Sequence, residues 1–318
     1  MKNYTTQTNW KEIVRRLPEN NRITSEIKPK ESFLDLEECK IHIDSYRNPS
    51  AEAKIILLHG VGGNGRLLSF IGVPLFKRGY EIIAPDLPGY GYSEVPVTAI
   101  TFPAWVRLVD FIINNEQEAD NRPIFLFGLS AGGMLAYQAA ALNKKVSGVI
   151  ATNILDQRIQ YVRDKSSGNL IISRLGKPLL SALARVNPHI RLPMKALANI
   201  KAIVNNTEIQ KILLKDKTSS GASVPIAFVL SLLTANPVVE PYDFDICPVL
   251  LAHPEKDNWT PLELSSIFFN QIKSPKELVI LQNAGHFPVE YPGIRQLEDS
   301  VVEFVVETIN KIPRLISN

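Results

Sequence analysis

The chain has 318 residues, 45% of them hydrophobic and 21% charged, with a net charge of +3. That length is enough to bury a real core in one large domain or two smaller ones, and the balance is that of an ordinary soluble enzyme. So small a net charge gives no footing for a nucleic acid partner, and two distant cysteines, Cys39 and Cys247, make neither a disulfide framework nor a metal-type spacing.

The first ten residues, to Trp10, lack the apolar stretch of a secretory signal. The strongest apolar run, around 226–233, is well short of the roughly 18 residues a membrane span needs. The expectation is a cytoplasmic protein with no membrane span, free to make transient contact with lipid.

Residues 1–31 read as an N-terminal arm with a short helix near 10–17. Two strand-like runs follow at 32–36 and 39–46, where Ile41 and Ile43 alternate with polar neighbours, so a half-exposed antiparallel start to a sheet is expected. After Asn48-Pro49-Ser50 come short, mostly apolar runs at 55–58, 81–84, 124–127, 146–151, 249–252 and 278–281. Such runs suit strands covered on both faces, as in a parallel sheet. Helical stretches at 66–77, 102–115, 134–143, 262–272 and 294–312 lie between most of them, and this alternation predicts an α/β fold with a mostly parallel sheet flanked by helices.

Residues 155–240 break the pattern. No buried strand is evident there, and the text reads as helices interrupted at Gly176, Pro188, Pro193, Gly221 and Pro237. Twelve Lys or Arg against five acids give this insert a net +7, leaving the rest of the chain at −4. A basic, apolar helical insert in an α/β frame predicts a cap over a site. The expected organisation is a core of 32–154 and 241–318 with a helical cap of 155–240.

The most telling segment is Gly128-Leu129-Ser130-Ala131-Gly132, which follows an apolar strand and precedes a helix. A serine on a sharp strand-to-helix turn needs neighbours without a Cβ, and its hydroxyl then stands beside a helix N-terminus that favours a developing anion. Three further motifs follow buried strands: His59-Gly60-Val61-Gly62-Gly63, Asp86-Leu87-Pro88-Gly89-Tyr90-Gly91-Tyr92-Ser93, and Asn283-Ala284-Gly285-His286-Phe287-Pro288. The run His253-Pro254-Glu255-Lys256-Asp257 supplies an acid before another helix.

Together these motifs, in the order Ser, acid, His, strongly resemble the α/β-hydrolase superfamily, in its serine-nucleophile, capped esterase and lipase-like branch. The likeness covers about residues 32–154 and 245–312 and leaves out the arm and the cap. The resemblance implies Ser130 as nucleophile, His286 as general base and Asp257 as the carboxylate that orients the imidazole. It also implies the backbone N–H groups of Val61 and Ala131 as an oxyanion hole, worth roughly 3 kcal/mol per donor. Asp156, after the preceding strand, is an alternative acid. In the family a Gly usually follows the residue at His253, whereas here Pro254 does. His59 and Asp86 are read as structural, and His42 and His189 carry no chemistry.

No metal or other cofactor is expected. His253, Glu255 and Asp257 diverge at a strand-end turn, and the glycines at 60–65 lack the Gly-Lys-Ser/Thr of a phosphate loop. A serine rather than an aspartate in the elbow argues against carboxylate-nucleophile branches. The leading expectation is cleavage of a small-molecule carboxylic ester through an acyl-serine. A C–C bond hydrolase of the same fold and a non-catalytic ligand-binding member are the alternatives.

Overall fold

The computed structural model describes residues 3–167, 170–194 and 202–311; the rest, including Lys195 and Lys201 of the insert's basic count, lie outside the described residues. An eight-stranded sheet forms the centre. Its strands are β1 (Lys30–Leu36), β2 (Cys39–Tyr46), β3 (Lys54–Leu58), β4 (Glu81–Pro85), β5 (Ile124–Gly128), β6 (Gly148–Ala151), β9 (Val249–Pro254) and β10 (Lys276–Leu281). They lie in the order β1-β2-β4-β3-β5-β6-β9-β10. Strand β2 is antiparallel to both β1 and β4, and every other pairing is parallel.

The apolar runs behave as expected of covered strands: every residue of β3, β4, β5, β6 and β9 is buried. Strand β10 does not. It is the edge of the sheet, with Leu278 and Ile280 exposed, and exposed Lys276 and Glu277 guard that edge against pairing with another chain. Strand β2 departs in the opposite sense. Its polar alternates His42 and Asp44 are as buried as Ile41 and Ile43, because the N-terminal arm lies over them. Tyr4 packs its ring edge on against His42, and Arg66, paired with Asp44, lies over the rings of Tyr4 and Trp10. Alternation in the sequence showed only that half of β2 was polar, not that an arm would cover it.

Helices α2 (Ser69–Lys77) and α10 (Gly293–Lys311) join α1 (Thr8–Arg16) in one buried cluster, whereas α3 (Phe102–Ala119), α4 (Ala131–Asn143) and α9 (Leu262–Phe269) build the other. Strand β3 pairs with β4 on one side and β5 on the other, so the chain reverses its direction of travel across the sheet there. The carboxyl ends beside such a switch point form the natural crevice of an open parallel sheet.

The segment from β6 to β9 adds no strand to this sheet among the described residues. It holds α5 (Gln160–Ser166), α6 (Leu170–Val186), α7 (Thr207–Lys215) and α8 (Ile226–Thr234). Two expectations are corrected here. Helix α6 runs unbroken through Gly176 and Pro178. Glycine costs a helix only about 1 kcal/mol against alanine, and packing on α5 and α8 offsets that. A short antiparallel pair, β7 (Arg191–Pro193) with β8 (Ser223–Pro225), also stands there, and Val224 and Pro225 of β8 are buried where no buried strand was expected. Three residues each are too few to show a period of two. No helix among the described residues is long and apolar enough to cross a membrane.

Candidate active site

Ser130 sits between the last residue of β5 and the first turn of α4 with φ 56° and ψ −124°. A non-glycine residue held there costs on the order of 1–3 kcal/mol, which only tight surroundings can impose. The surroundings are tight. A Cβ on Gly132 would stand 2.2 Å from Leu58 O, so the start of α4 packs directly on the end of β3. Ala131 opens the helix, and its N–H therefore has no acceptor one turn back.

The loop after β3 approaches equally closely. A Cβ on Gly60 would lie 2.9 Å from Ser130 Cβ and 3.2 Å from Ala131 N. Gly60 O accepts from Gly63 N–H (3.1 Å) and from His59 Nδ1 (2.8 Å), which fixes the plane of the peptide that carries the Val61 N–H. His59 Nε2 accepts from Leu87 N–H at 2.9 Å, so the proton is assigned to Nδ1. Burial pushes the His59 imidazole down to about 4, keeping it neutral and in that role at ordinary pH.

Asp257 follows β9 and His286 follows β10, and the two side chains meet. His286 Nδ1 lies 2.8 Å from Asp257 Oδ2. The same oxygen accepts from Thr260 Oγ1 (2.8 Å) and Asn153 Nδ2 (3.1 Å), and Oδ1 accepts from the N–H groups of Trp259 (2.9 Å) and Thr260 (2.8 Å). Burial alone would push the Asp257 carboxyl up, but the neighbouring imidazole and these donors hold it well below the usual carboxylate range. His286 Nε2 is buried without a hydrogen-bond partner among the described residues. Ser130, His286 and Val61 line one small cavity together.

Asp156 belongs to a different constellation. Its carboxylate accepts from Arg158 at 2.7 Å, and Arg158 reaches on to Glu240 at 2.6 Å. His253, buried at the end of β9, has its Nδ1 3.1 Å from Thr152 O, and Asp257 N–H still reaches Pro254 O at 3.4 Å. The turn after β9 thus forms with Pro254 in place of glycine. Glu31, His42 and Asp44 cluster as a metal site would, but Arg66 already supplies the positive charge there, 3.1 Å from Glu31 and 2.8 Å from Asp44.

Three contributors were not foreseen. Thr260 and Asn153 hold the carboxylate, and the Trp259 ring stands 4.7 Å from the His286 ring. Thr260 falls three residues after Asp257, a spacing at which an aspartate bonds its own downstream turn; Asn153 leaves no such trace. Above Ser130 opens a second cavity of about 170 Å³. Most of its walls are apolar side chains such as Met134, Met194, Phe228 and Leu232, with polar ones such as Gln138, Asp156, Gln157 and Arg163 between them.

Comparison with known proteins agrees with this architecture. Among curated proteins the chain is similar to Protein ABHD8 of Homo sapiens, with 28% identity over 112 residues, which is 34% of this chain. The match spans only 26% of that relative's length. Among solved structures it is similar to a monoacylglycerol lipase of Paleococcus ferrophilus (TM-score 0.65, 22% identity, 84% of this chain and 99% of that one). It is also similar to a soluble variant of monoglyceride lipase from Saccharomyces cerevisiae in complex with a substrate analog (TM-score 0.68, 18% identity, 89% and 94%). At these identities the two structures speak for the fold alone. Residues 55–294, three quarters of the chain, match the alpha/beta hydrolase family, and the chain belongs to it.

Proposed function

We propose that this protein is a serine hydrolase that cleaves a carboxylic ester through an acyl-Ser130 intermediate. The observation that carries the reading is the 2.8 Å contact of His286 Nδ1 with Asp257, which leaves Nε2 unengaged in the cavity that Ser130 also lines.

The chemistry follows from the geometry. A serine hydroxyl is a poor nucleophile until a positioned base takes its proton. His286 Nε2 accepts that proton as Oγ attacks the carbonyl carbon, and Asp257 stabilises the imidazolium and fixes its orientation. The N–H groups of Val61 and Ala131 receive the oxyanion, an interaction stronger in the transition state than with the ground-state carbonyl. Collapse expels the alcohol, which leaves with the proton from Nε2. Water, deprotonated by the same nitrogen, then attacks the acyl-serine, and the acid departs as Ser130 regains its hydrogen.

The segment 155–240 is read as a cap, because Met194, Phe228 and Leu232 on it complete the apolar cavity above Ser130. That lining favours an ester with an apolar acyl group. Contact with a lipid surface belongs to the same reading. Leu175, Leu179, Leu183 and Val186 recur on one side of α6, 38–84% exposed, with Arg174 and Arg185 beside them. An apolar helix face edged by cations suits an anionic bilayer surface. Two unpaired cysteines fit a reducing, cytoplasmic setting.

The test is hydrolysis of short nitrophenyl esters by the wild type and by Ser130→Ala. The variant is expected to fold and lose turnover by at least about 10⁴-fold. Equal rates would remove Ser130 from the mechanism. Preference for a vinylogous diketone acid over any ester would favour the C–C hydrolase alternative. A folded wild type inert to both would favour a ligand-binding role.

A further inference from the structure

The turn 216–221, between α7 and β8, has the sequence Asp-Lys-Thr-Ser-Ser-Gly of a surface loop, yet only Lys217 is exposed. Asp216, Ser219 and Ser220 are all at least 97% buried. Burying so many polar groups is costly unless each finds a partner, so where the partners lie shows what the turn does.

Some bonds are internal. Asp216 accepts from Thr218 N–H (3.0 Å), Thr218 Oγ1 (2.8 Å) and Ser219 Oγ (3.0 Å), and its carbonyl accepts from Gly221 N–H (2.9 Å). The remainder reach outward to the loops that follow β3 and β4. Ser220 Oγ donates to Gly62 O at 2.9 Å. Asn64 Nδ2 donates to Thr218 O (3.3 Å) and Thr218 Oγ1 (3.2 Å), and Gly91 N–H donates to Thr218 O at 2.9 Å.

Gly62 is the point of contact. Its φ of +79° is that of the third residue of a type II turn, here Gly60-Val61-Gly62-Gly63, closed by the Gly63 N–H to Gly60 O bond. A Cβ at Gly62 would come within 3.2 Å of Ser220 Oγ, so the turn rests directly on this backbone. Val61, whose N–H is assigned to the oxyanion hole, is the residue before it.

We propose that the turn 216–221 is a positioning element for the oxyanion loop, with Ser220 as its contact residue. This rests on the serine-hydrolase reading above. By holding Gly62 O, Ser220 keeps the loop in the one backbone conformation that aims the Val61 N–H at the reacting carbonyl. The same turn is tied to the N-terminal arm. Gln7 Nε2 donates to Asp216 (3.3 Å) and to Thr218 Oγ1 (3.0 Å), and Arg16 on α1 pairs with Glu208 at the start of α7 at 2.8 Å. The arm and the 216–221 turn of the cap therefore set the geometry of the oxyanion hole without touching substrate.

The experiment compares full-length wild type, Ser220→Ala, Ser220→Thr and Gln7→Ala on nitrophenyl butyrate. Each is also titrated with a trifluoromethyl ketone, which forms a tetrahedral adduct, and with butyrate, which does not. Ser220→Ala is expected to lower kcat about tenfold, part of the 10²–10³ that an oxyanion donor supplies, with KM within twofold. The ketone inhibition constant should rise by the same factor while that of butyrate stays put. Ser220→Thr, which keeps the hydroxyl, should recover most of the loss. Gln7→Ala, at a half-exposed site, should move kcat and ketone affinity the same way by less, and it carries the test should Ser220→Ala not fold. An active wild type whose Ser220→Ala and Gln7→Ala variants keep kcat and ketone affinity overturns the proposal alone. A wild type that neither turns over ester nor reacts at Ser130 overturns the hydrolase reading and the proposal with it.

Discussion

Asp257 gives both its oxygens to the turn that contains it and one of them also to His286, so the carboxylate is anchored before it orients the imidazole. Its Oδ1 accepts from the N–H groups of Trp259 and Thr260, and its Oδ2 from Thr260 Oγ1 and His286 Nδ1. Asp257→Asn can keep much of this frame but presents an amide N–H or a neutral oxygen to the ring. We expect kcat to fall by about 10⁴ through the wrong imidazole tautomer, by analogy with the serine-protease triad. Asp156→Asn should cost little turnover, since Asp156 is taken up by Arg158. Steady-state kinetics of both variants decide the point: a crippled Asp156→Asn with an active Asp257→Asn would place the acid one strand earlier.

The buried charges under the arm make a prediction about pH and stability. Burial pushes the His42 imidazole down, but Asp86 at 3.0 Å and Glu31 at 3.0 Å outweigh it and lift it to about 9. A histidine raised above its unfolded value near 6.5 stabilises fully below that pH and loses the contribution as pH rises through 9. The size is at most about 3 kcal/mol. Melting temperature should therefore fall between pH 7 and 10 by more in the wild type than in His42→Gln. Parallel curves for the two proteins would show that His42 is neutral in the fold.

The row of exposed leucines on α6 calls for a vesicle measurement. Wild-type protein should co-sediment with vesicles of phosphatidylcholine and phosphatidylglycerol, and less with phosphatidylcholine alone. The double change Leu175→Glu and Leu179→Glu should reduce binding by about tenfold or more while leaving hydrolysis of a soluble ester unaltered. Concentration-dependent dimers that dissociate in the same variant, with no vesicle binding, would assign the face to a second copy of the chain instead.

What could be read in the sequence follows physical lines. The parallel strands were legible because a strand buried on both faces must be apolar throughout, as at 55–58 and 124–127. The strained turn at Ser130 was legible because close packing of strand on helix there excludes a Cβ at Gly128 and Gly132. The burial of His42 and Asp44 on a strand expected to be half-exposed was hidden because the partners that cover them, Tyr4 and Arg66, lie far off in sequence. For the same reason the role of 216–221 was invisible: Ser220 and Gly62 are 158 residues apart, and no local pattern marks a polar turn that will be buried. The role of Asn153 beside Asp257 was hidden in the same way, by 104 residues.

If His286 activates Ser130 as a nucleophile, a covalent trap should find it. Folded protein is treated with a fluorophosphonate, digested and mapped by mass spectrometry, beside His286→Ala and a urea-unfolded control. One stoichiometric adduct is expected, on Ser130, absent from the unfolded control and slowed by at least about 10³-fold in His286→Ala. Folded wild type that stays unlabelled, or carries its adduct on another residue, would contradict that activation.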